Sequence, residues 1–372
     1  MDATASSFDL QILEFCKRAF TRAESLRRGD RLSPSRPLDL VGRLAFQRRQ
    51  AQRRTAAARA GRAVPPILIA SVTRRCNLDC AGCYSKELRP EGVGATELSD
   101  ERFLELFREA VDLGVGAIML AGGEPLLRRN LLEATAELGG LAVPVFTNGT
   151  LVDESWLDLF ASGKLLPVFS IEGEPAFTAE RRGRGVHEAV IDRAAQLRRR
   201  GAAFGVSITL TSRNFEAALA PSFLERIDWL GASALFLVEY VPAVRGTEEL
   251  ALGPELHARL AADRRLDGLP YPVLRLPGDE AASGGCLAAG RGFIHLAPDG
   301  GVEACPFAPY SDRSAADAGL AEALDSPLMR AIRERHHELD SAGGGCALLD
   351  RGGWIASLSG CAAAKPETVG AA

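Results

Sequence analysis

No apolar run in the 372-residue sequence approaches the roughly 18–20 residues needed to span a bilayer, so a membrane-embedded chain is not expected. Charge of one sign is equally scarce. A net charge of −4 gives the whole molecule no electrostatic attraction for nucleic acid or an acidic membrane. The N-terminal Met1-Asp2-Ala3-Thr4-Ala5-Ser6-Ser7 lacks the basic-then-apolar pattern of a signal peptide, and a cytoplasmic location is expected. Cysteine is sparse too: eight in a chain this long are too few and too clustered for a disulfide scaffold. What is there, 47% hydrophobic and 25% charged residues, suits an ordinary globular protein with length for one large core or two moderate ones.

The few cysteines are unevenly placed. Cys76, Cys80 and Cys83 form a C-x3-C-x2-C triplet followed by Tyr84, so one loop can bring three thiolates to one metal centre. Soft sulfur ligands at this spacing select an iron–sulfur cluster or zinc. Three ligands leave one iron of a cubane open, and an open coordination position is where a metal centre binds a reactant. Cys286, Cys305, Cys346 and Cys361 lie in the last quarter, and Cys16 stands alone on a helical pattern as a small buried hydrophobe.

Residues 1–64 read as helical and carry no strand pattern. Phe8, Ile12, Leu13, Phe15 and Phe20 recur at helical spacing. The seven arginines between Arg43 and Arg62 read as the solvated face of a helix that packs its few apolar residues on the main domain. From Pro65 the pattern becomes short apolar strands alternating with helices. Strands are expected at 67–72, 117–120, 143–146, 166–171, 204–210 and 234–240. Helices lie between them, with caps such as Ser99 and Asp153 and stops such as Gly114, Gly201 and Gly231. Six β units with intervening helices argue a parallel sheet with right-handed crossovers. The expected fold is a partial (β/α)6 TIM-like barrel, because the sequence after Pro242 supplies no two further strands in that rhythm.

Ligands of parallel α/β folds sit at the carboxyl ends of the strands. Every chemically loaded stretch falls there: the cysteine loop, then Gly122-Gly123-Glu124-Pro125, then Thr147-Asn148-Gly149, then Ser170-Ile171-Glu172-Gly173. Two glycines let backbone carbonyls approach a ligand with no Cβ in the way, and Glu124 adds an acceptor, which suits an amino group. Ser170 and Arg182 suit a carboxylate, with Arg181 and Arg184 near enough in sequence to compete for the arginine's role. Tyr84 can pack its ring against a planar base. An amino site beside a carboxylate site, next to an open iron, describes an amino acid chelating a cluster.

These residues resemble the radical S-adenosylmethionine (radical SAM) enzymes. The resemblance is carried by Cys76, Cys80, Cys83 and Tyr84, by GGEPLL at 122–127, TNGT at 147–150 and SIEG at 170–173, and covers about 65–246. It implies a [4Fe–4S] cluster on the three cysteines, with the methionine part of S-adenosylmethionine on the fourth iron. One-electron reduction, from a partner such as ferredoxin or flavodoxin, then gives a 5′-deoxyadenosyl radical that abstracts hydrogen from a substrate. Gly122, Gly123 and Glu124 would meet the methionyl amino group, Ser170 and Arg182 the carboxylate and Tyr84 the adenine, with Asn148 among the cofactor-binding positions. The family often reads SIDG where this chain has SIEG.

A second constellation follows. Cys286 and Cys305 stand in C-x13-G-x4-C about Gly300, with strand patterns at 292–296 and 301–304 on either side of a Pro298-Asp299-Gly300 turn. A hairpin would bring the two thiols together. This resembles the auxiliary-cluster extension of the SPASM and twitch subgroup, as does Pro242-Ala243-Val244-Arg245-Gly246. The full SPASM pattern of further cysteines is missing; Cys346 and Cys361 remain as expected further ligands of one auxiliary iron–sulfur cluster, with His336 and His337 as substitutes. The expected organisation is a helical extension (1–64), the partial barrel (65–246), a bridging region (247–285) and a small Fe–S domain (286–372). The expected substrate is a peptide, protein or small molecule, with no membrane or nucleic-acid partner. A non-catalytic Fe–S electron-transfer or structural metal protein, zinc included, is the alternative.

Overall fold

The computed structural model describes residues 3–29, 40–92, 96–276, 285–339, 346, 348–349 and 352–359. Two helices, α1 (Ala3–Gly29) and α2 (Leu40–Arg59), precede the barrel. Then come β1 (Ile67–Ser71), α3 (Tyr84–Leu88), α4 (Asp100–Leu113), β2 (Ala117–Ala121), α5 (Arg129–Ala136), β3 (Pro144–Thr147), α6 (Glu154–Ala161) and β4 (Leu166–Ile171). The chain continues through α7 (Pro175–Arg182), α8 (Val186–Arg199), β5 (Gly205–Leu210), α9 (Phe215–Ala218), α10 (Pro221–Leu230) and β6 (Ala234–Glu239). Residues 215–230 form two helices rather than one because Pro221 starts a new helix and cannot continue the old one.

The nine strands of the described residues form one sheet in the order β7-β6-β5-β4-β3-β2-β1-β8-β9, a half-barrel with helices outside. The six expected strands are parallel and in sequence order, as six consecutive right-handed β–α units require. The six-stranded sheet is extended at both edges. The segment after β6 contributes α11 (Pro254–Ala262) and β7 (Val273–Leu276), which pairs parallel with β6. At the other edge β8 (Phe293–Leu296) pairs parallel with β1, and β9 (Val302–Glu303) turns back antiparallel on β8. The hairpin is therefore where the sequence put it, but it extends the barrel sheet beside the strand that feeds the cysteine loop.

Alternation along the strands sorts the core into two layers. Outward residues such as Leu68, Leu120, Leu210 and Leu237 pack against the helices. Inward residues Ile67, Met119, Val168 and Phe236 form a second cluster with Ile12, Phe15 and Ala19 of α1. Phe15 lies 5.6 Å, ring to ring, from Phe236, so α1 covers part of the inward face of the open barrel. By contrast, α2 packs outside. Its Gln47 and Gln50 amides donate to Gly116 O at 2.7 Å and Val115 O at 2.8 Å, while Arg48, Arg49, Arg53 and Arg59 face solvent. The basic run is thus a solvated face with a polar inner edge that satisfies the carbonyls around the end of α4. Among the described residues no helix is long and apolar enough to cross a membrane.

Candidate active site

The inside of the half-barrel holds a cavity of about 1090 Å³ that opens at the carboxyl ends of the strands. This exceeds the roughly 300–1,000 Å³ of common ligand pockets, so it has room for a cofactor and a second reactant together. Cys76, Cys80 and Cys83 line it, as do Tyr84, Gly122, Gly123, Glu124, Asn148, Ser170 and Arg182. Cys286, Cys305 and Cys346 line the same cavity. Cys361 lies outside the described residues, and His336 and His337 are not part of the lining.

The cysteine loop has little regular structure of its own between Ser71 and Tyr84, and its neighbours hold it. Gly123 N donates to Thr73 O at 2.7 Å and Glu124 N to Arg75 O at 2.8 Å. A Cβ on Gly122 would stand 2.5 Å from Thr73 O, and one on Gly123 would stand 2.5 Å from the Arg75 carbonyl carbon. The two glycines therefore make room for the backbone of the cysteine loop. Gly122 also has φ +124°, a region that side chains disfavour. From the third strand, Asn148 Nδ2 donates to Asn77 Oδ1 at 2.9 Å, and Asn77 Nδ2 donates to Thr150 Oγ1 at 2.8 Å. From the fourth unit, Arg181 O accepts from Ala81 N at 2.8 Å.

The buried carboxylates divide by what they hold. Glu124, 1% exposed, accepts from Leu126 N at 3.1 Å, Thr147 Oγ1 at 2.8 Å and Asn148 N at 2.9 Å. Burial pushes its pKa up and these three donors pull it back. Its carboxylate ties the second and third strand ends together. Glu172, also 1% exposed, accepts from Arg181 Nη1 and Arg182 Nε, each at 2.7 Å, and from Thr209 N at 3.2 Å. The longer side chain of SIEG thus anchors two arginines at once. Both line the cavity, whereas Arg184 is exposed on the surface. Arg181 is the one the sequence reading under-weighted: it also donates to Thr209 Oγ1 at 3.0 Å and lies over the Tyr240 ring. Burial raises the Cys80 thiol pKa, and Arg182 and Arg181 offset part of that rise. The positive rim is thus electrically coupled to the thiols.

Tyr84 stands on the boundary between the two cysteine groups. Its ring lies 4.5 Å from that of Phe307, two residues past Cys305, and burial pushes its phenol up to about 12. Tyr240, at the end of β6, touches Gly82 in the cysteine loop and donates to Thr247 Oγ1 at 2.8 Å. No sequence signal pointed to Tyr240, because its neighbour is a glycine 158 positions earlier. The second group comes from three separate segments. The Cys346 thiol hydrogen-bonds to Cys305, and this bond, burial and the nearby Cys286 hold the Cys305 thiol well above its ordinary pKa. Among the described residues, no three thiol, imidazole or carboxylate groups converge as the ligands of a single ion would. A cubane spreads its thiolates more widely than one ion does, so both thiol groups, lining one cavity, fit a cluster better than a lone zinc.

Residues 70–215 match the Radical SAM superfamily model. Over those residues the chain is similar to the radical SAM proteins. Pre-heme d1 synthase of Dinoroseobacter shibae is 33% identical over 187 residues, 49% of this chain and 45% of that protein. The matched region is thus less than half the length of that relative. A probable GTP 3′,8-cyclase of Methanopyrus kandleri is 29% identical over 67% of this chain and 83% of its own. Among solved structures, SuiB of Streptococcus suis bound to S-adenosylmethionine superposes with a TM-score of 0.62 at 17% identity, over 82% of this chain and 76% of that one. SuiB bound to the precursor peptide SuiA gives 0.60 at 18%, over 85% and 76%. At that identity the likeness establishes the fold alone, a half-barrel of parallel strands. The relatives with this domain are enzymes of differing substrate.

Proposed function

We propose that this chain is a radical SAM enzyme whose two thiol groups hold two iron–sulfur centres on one reaction chamber. The observation that carries the reading is that six cysteines from four segments line a single cavity together with Ser170, Arg181 and Arg182. Cys76, Cys80 and Cys83 would hold a [4Fe–4S] cluster, and Cys286, Cys305 and Cys346, with Cys361 as a further candidate, an auxiliary one. When bound, the first cluster with S-adenosylmethionine supplies reductive cleavage of a sulfonium and, from it, a hydrogen-abstracting radical.

The chain's own residues bind and orient. Ser170 and the arginine pair would receive the methionyl carboxylate, since guanidinium groups make charge-assisted bidentate bonds. Glu172 keeps both arginines in place and Glu124 fixes the rim, so the edge of Gly122 and Gly123 would meet the amino group through backbone atoms. Tyr84 would meet the adenine. The inward apolar residues below that rim exclude water from the chamber, which keeps a radical from being quenched. An electron donor such as ferredoxin or flavodoxin would reduce the first centre. The substrate is proposed to be a peptide, protein or small molecule; a peptide is compatible with the fold shared with SuiB.

The test is anaerobic reconstitution, reduction by dithionite and measurement of 5′-deoxyadenosine released from S-adenosylmethionine. Release that falls on Ser170→Ala is expected. A protein with full iron that releases none is a non-catalytic metal protein, and the proposal is then wrong.

A further inference from the structure

The segment bearing Cys76, Cys80 and Cys83 runs from Ser71 at the end of β1 to Arg89 after α3, and the β8–β9 hairpin grips it at both ends. Before the cysteines, Ser71 Oγ is 2.8 Å from His295 Nε2, and Arg74 forms an ion pair with Asp299 in the hairpin turn. After them, Tyr84 packs on Phe307, Arg89 Nη1 donates to Pro306 O at 2.8 Å, and its Nη2 pairs with Glu303. His295 Nδ1, 2.7 Å from Glu303 Oε2, joins the two grips. Arg89 is 7% exposed, Glu303 6% and His295 0%, so the Arg89–Glu303–His295 link between the two grips is sealed from solvent.

We propose that the hairpin is a clamp that pre-forms the cysteine loop, with Arg89, Glu303 and His295 as positioning residues. The clamp rests on geometry; its consequence for a bound cluster rests on the radical SAM reading above. Ser71, His295 and Glu303 follow one another as serine, histidine and carboxylate do in hydrolases, yet none of the three lines the cavity, so this is no nucleophilic site. Stability alone gives little reason for a buried Arg–Glu pair, because desolvating both charges offsets most of their attraction and apolar residues would serve as well. A pair of fixed direction does hold one element in one place relative to another. Here that matters, because the loop is exposed at Arg75, Cys76, Asn77, Asp79 and Ala81 and cannot fix three thiols by its own packing. α3 is the lever. Cys83 is its N-cap, Arg89 its C-cap, and both ends of the helix bear on residues 303–307 around Cys305. The same contacts therefore orient both thiol groups.

The test uses the full chain with Glu303→Gln, which keeps shape and removes the charge, and with Arg89→Lys as a second variant should the first fail to fold. Amide hydrogen exchange of the metal-free protein is read first. Exchange in residues 74–89 should quicken on the order of tenfold while β2 and β4 stay protected. The second reading is the EPR spectrum of the reduced, reconstituted protein in a Cys286→Ser/Cys305→Ser/Cys346→Ser background. There the g-values and line width of the triplet's centre should shift at unchanged iron content. Unchanged exchange over 74–89, or a rise spread evenly through the barrel, overturns the clamp. Should the triplet hold no iron even with Glu303 and Arg89 intact, the radical SAM reading fails, and the exchange measurement still decides the clamp.

Discussion

Gly123→Ala should disable the cysteine loop without unfolding the barrel. An added Cβ would lie 2.5 Å from the Arg75 carbonyl carbon, 2.8 Å from Arg74 O and nearer still to Arg75 O. These are backbone atoms, so no side chain can swing aside. Ordinary contact needs about 3.5 Å, and the loop must therefore retreat by about 1 Å. Overpacking of this kind costs about 1–3 kcal/mol. The bonds from Gly123 N to Thr73 O and from Glu124 N to Arg75 O would weaken as well, at about 1 kcal/mol each. The larger effect is on chemistry, since a displacement of about 1 Å can lower a rate on the order of 100-fold. The assay pairs iron content and 5′-deoxyadenosine release after anaerobic reconstitution with urea unfolding. Gly139→Ala is the control, because a Cβ there meets nothing within 4 Å. Gly123→Ala with the iron, release rate and stability of the Gly139→Ala protein would refute the steric argument.

Glu172→Ala leaves Arg181 and Arg182, with side chains only 16% and 12% exposed, without their counter-charge, and should cost up to about 3–5 kcal/mol in urea unfolding; an unchanged midpoint would show that the arginines hold themselves. Glu239 is tied to His257 Nδ1 at 3.0 Å, and burial raises its pKa above the ordinary 4.5. A raised acid favours the folded state below its unfolded pKa and loses that contribution as pH rises through the folded one. Glu239→Gln should accordingly gain stability relative to the parent as pH rises above the ordinary 4.5, and a difference that stays flat with pH would contradict the assignment. Replacing Cys286, Cys305 and Cys346 by serine should lower bound iron from about eight to about four per chain, measured against protein. No loss of iron would remove the second centre.

The strands were legible because each is a nearly continuous apolar run before a Gly, Pro or polar cluster, as a strand covered on both faces must be. What could not be read was pairing. Nothing local to Phe293–Leu296 says that it returns beside β1, over 200 residues earlier, or that Val273–Leu276 joins β6. The site showed the same limit. The glycines at 122 and 123 were found for the right physical reason, the absence of a Cβ, but the atoms that need the space belong to Thr73 and Arg75. Glu124 stood out as an acceptor, and its three donors emerge only when strands β2 and β3 lie side by side. Arg181 and Arg182 could not be ranked from sequence because one carboxylate holds both.

The N-terminal helix shows how that limit bears on function. A half-barrel has an inward face that must be covered, and β7 and β8 do not pair to close it. Helix α1 does the covering. Arg18 donates to Leu269 O at 3.0 Å in the turn before β7, while Ile12 and Phe15 reach the inward cluster. Gln11, Glu14 and Arg18 line the chamber beside them, so the helix is a wall of the reaction space. Phe15→Ala should then cost about 1–3 kcal/mol, less than the 3–5 of a fully buried phenylalanine because Phe15 is half-buried. Val41→Ala, at a side chain 80% exposed on α2, should stay within about 0.5 kcal/mol. Urea unfolding compares the two. A Phe15→Ala as silent as Val41→Ala would return α1 to the status of an appendage, and the chamber would lose its floor.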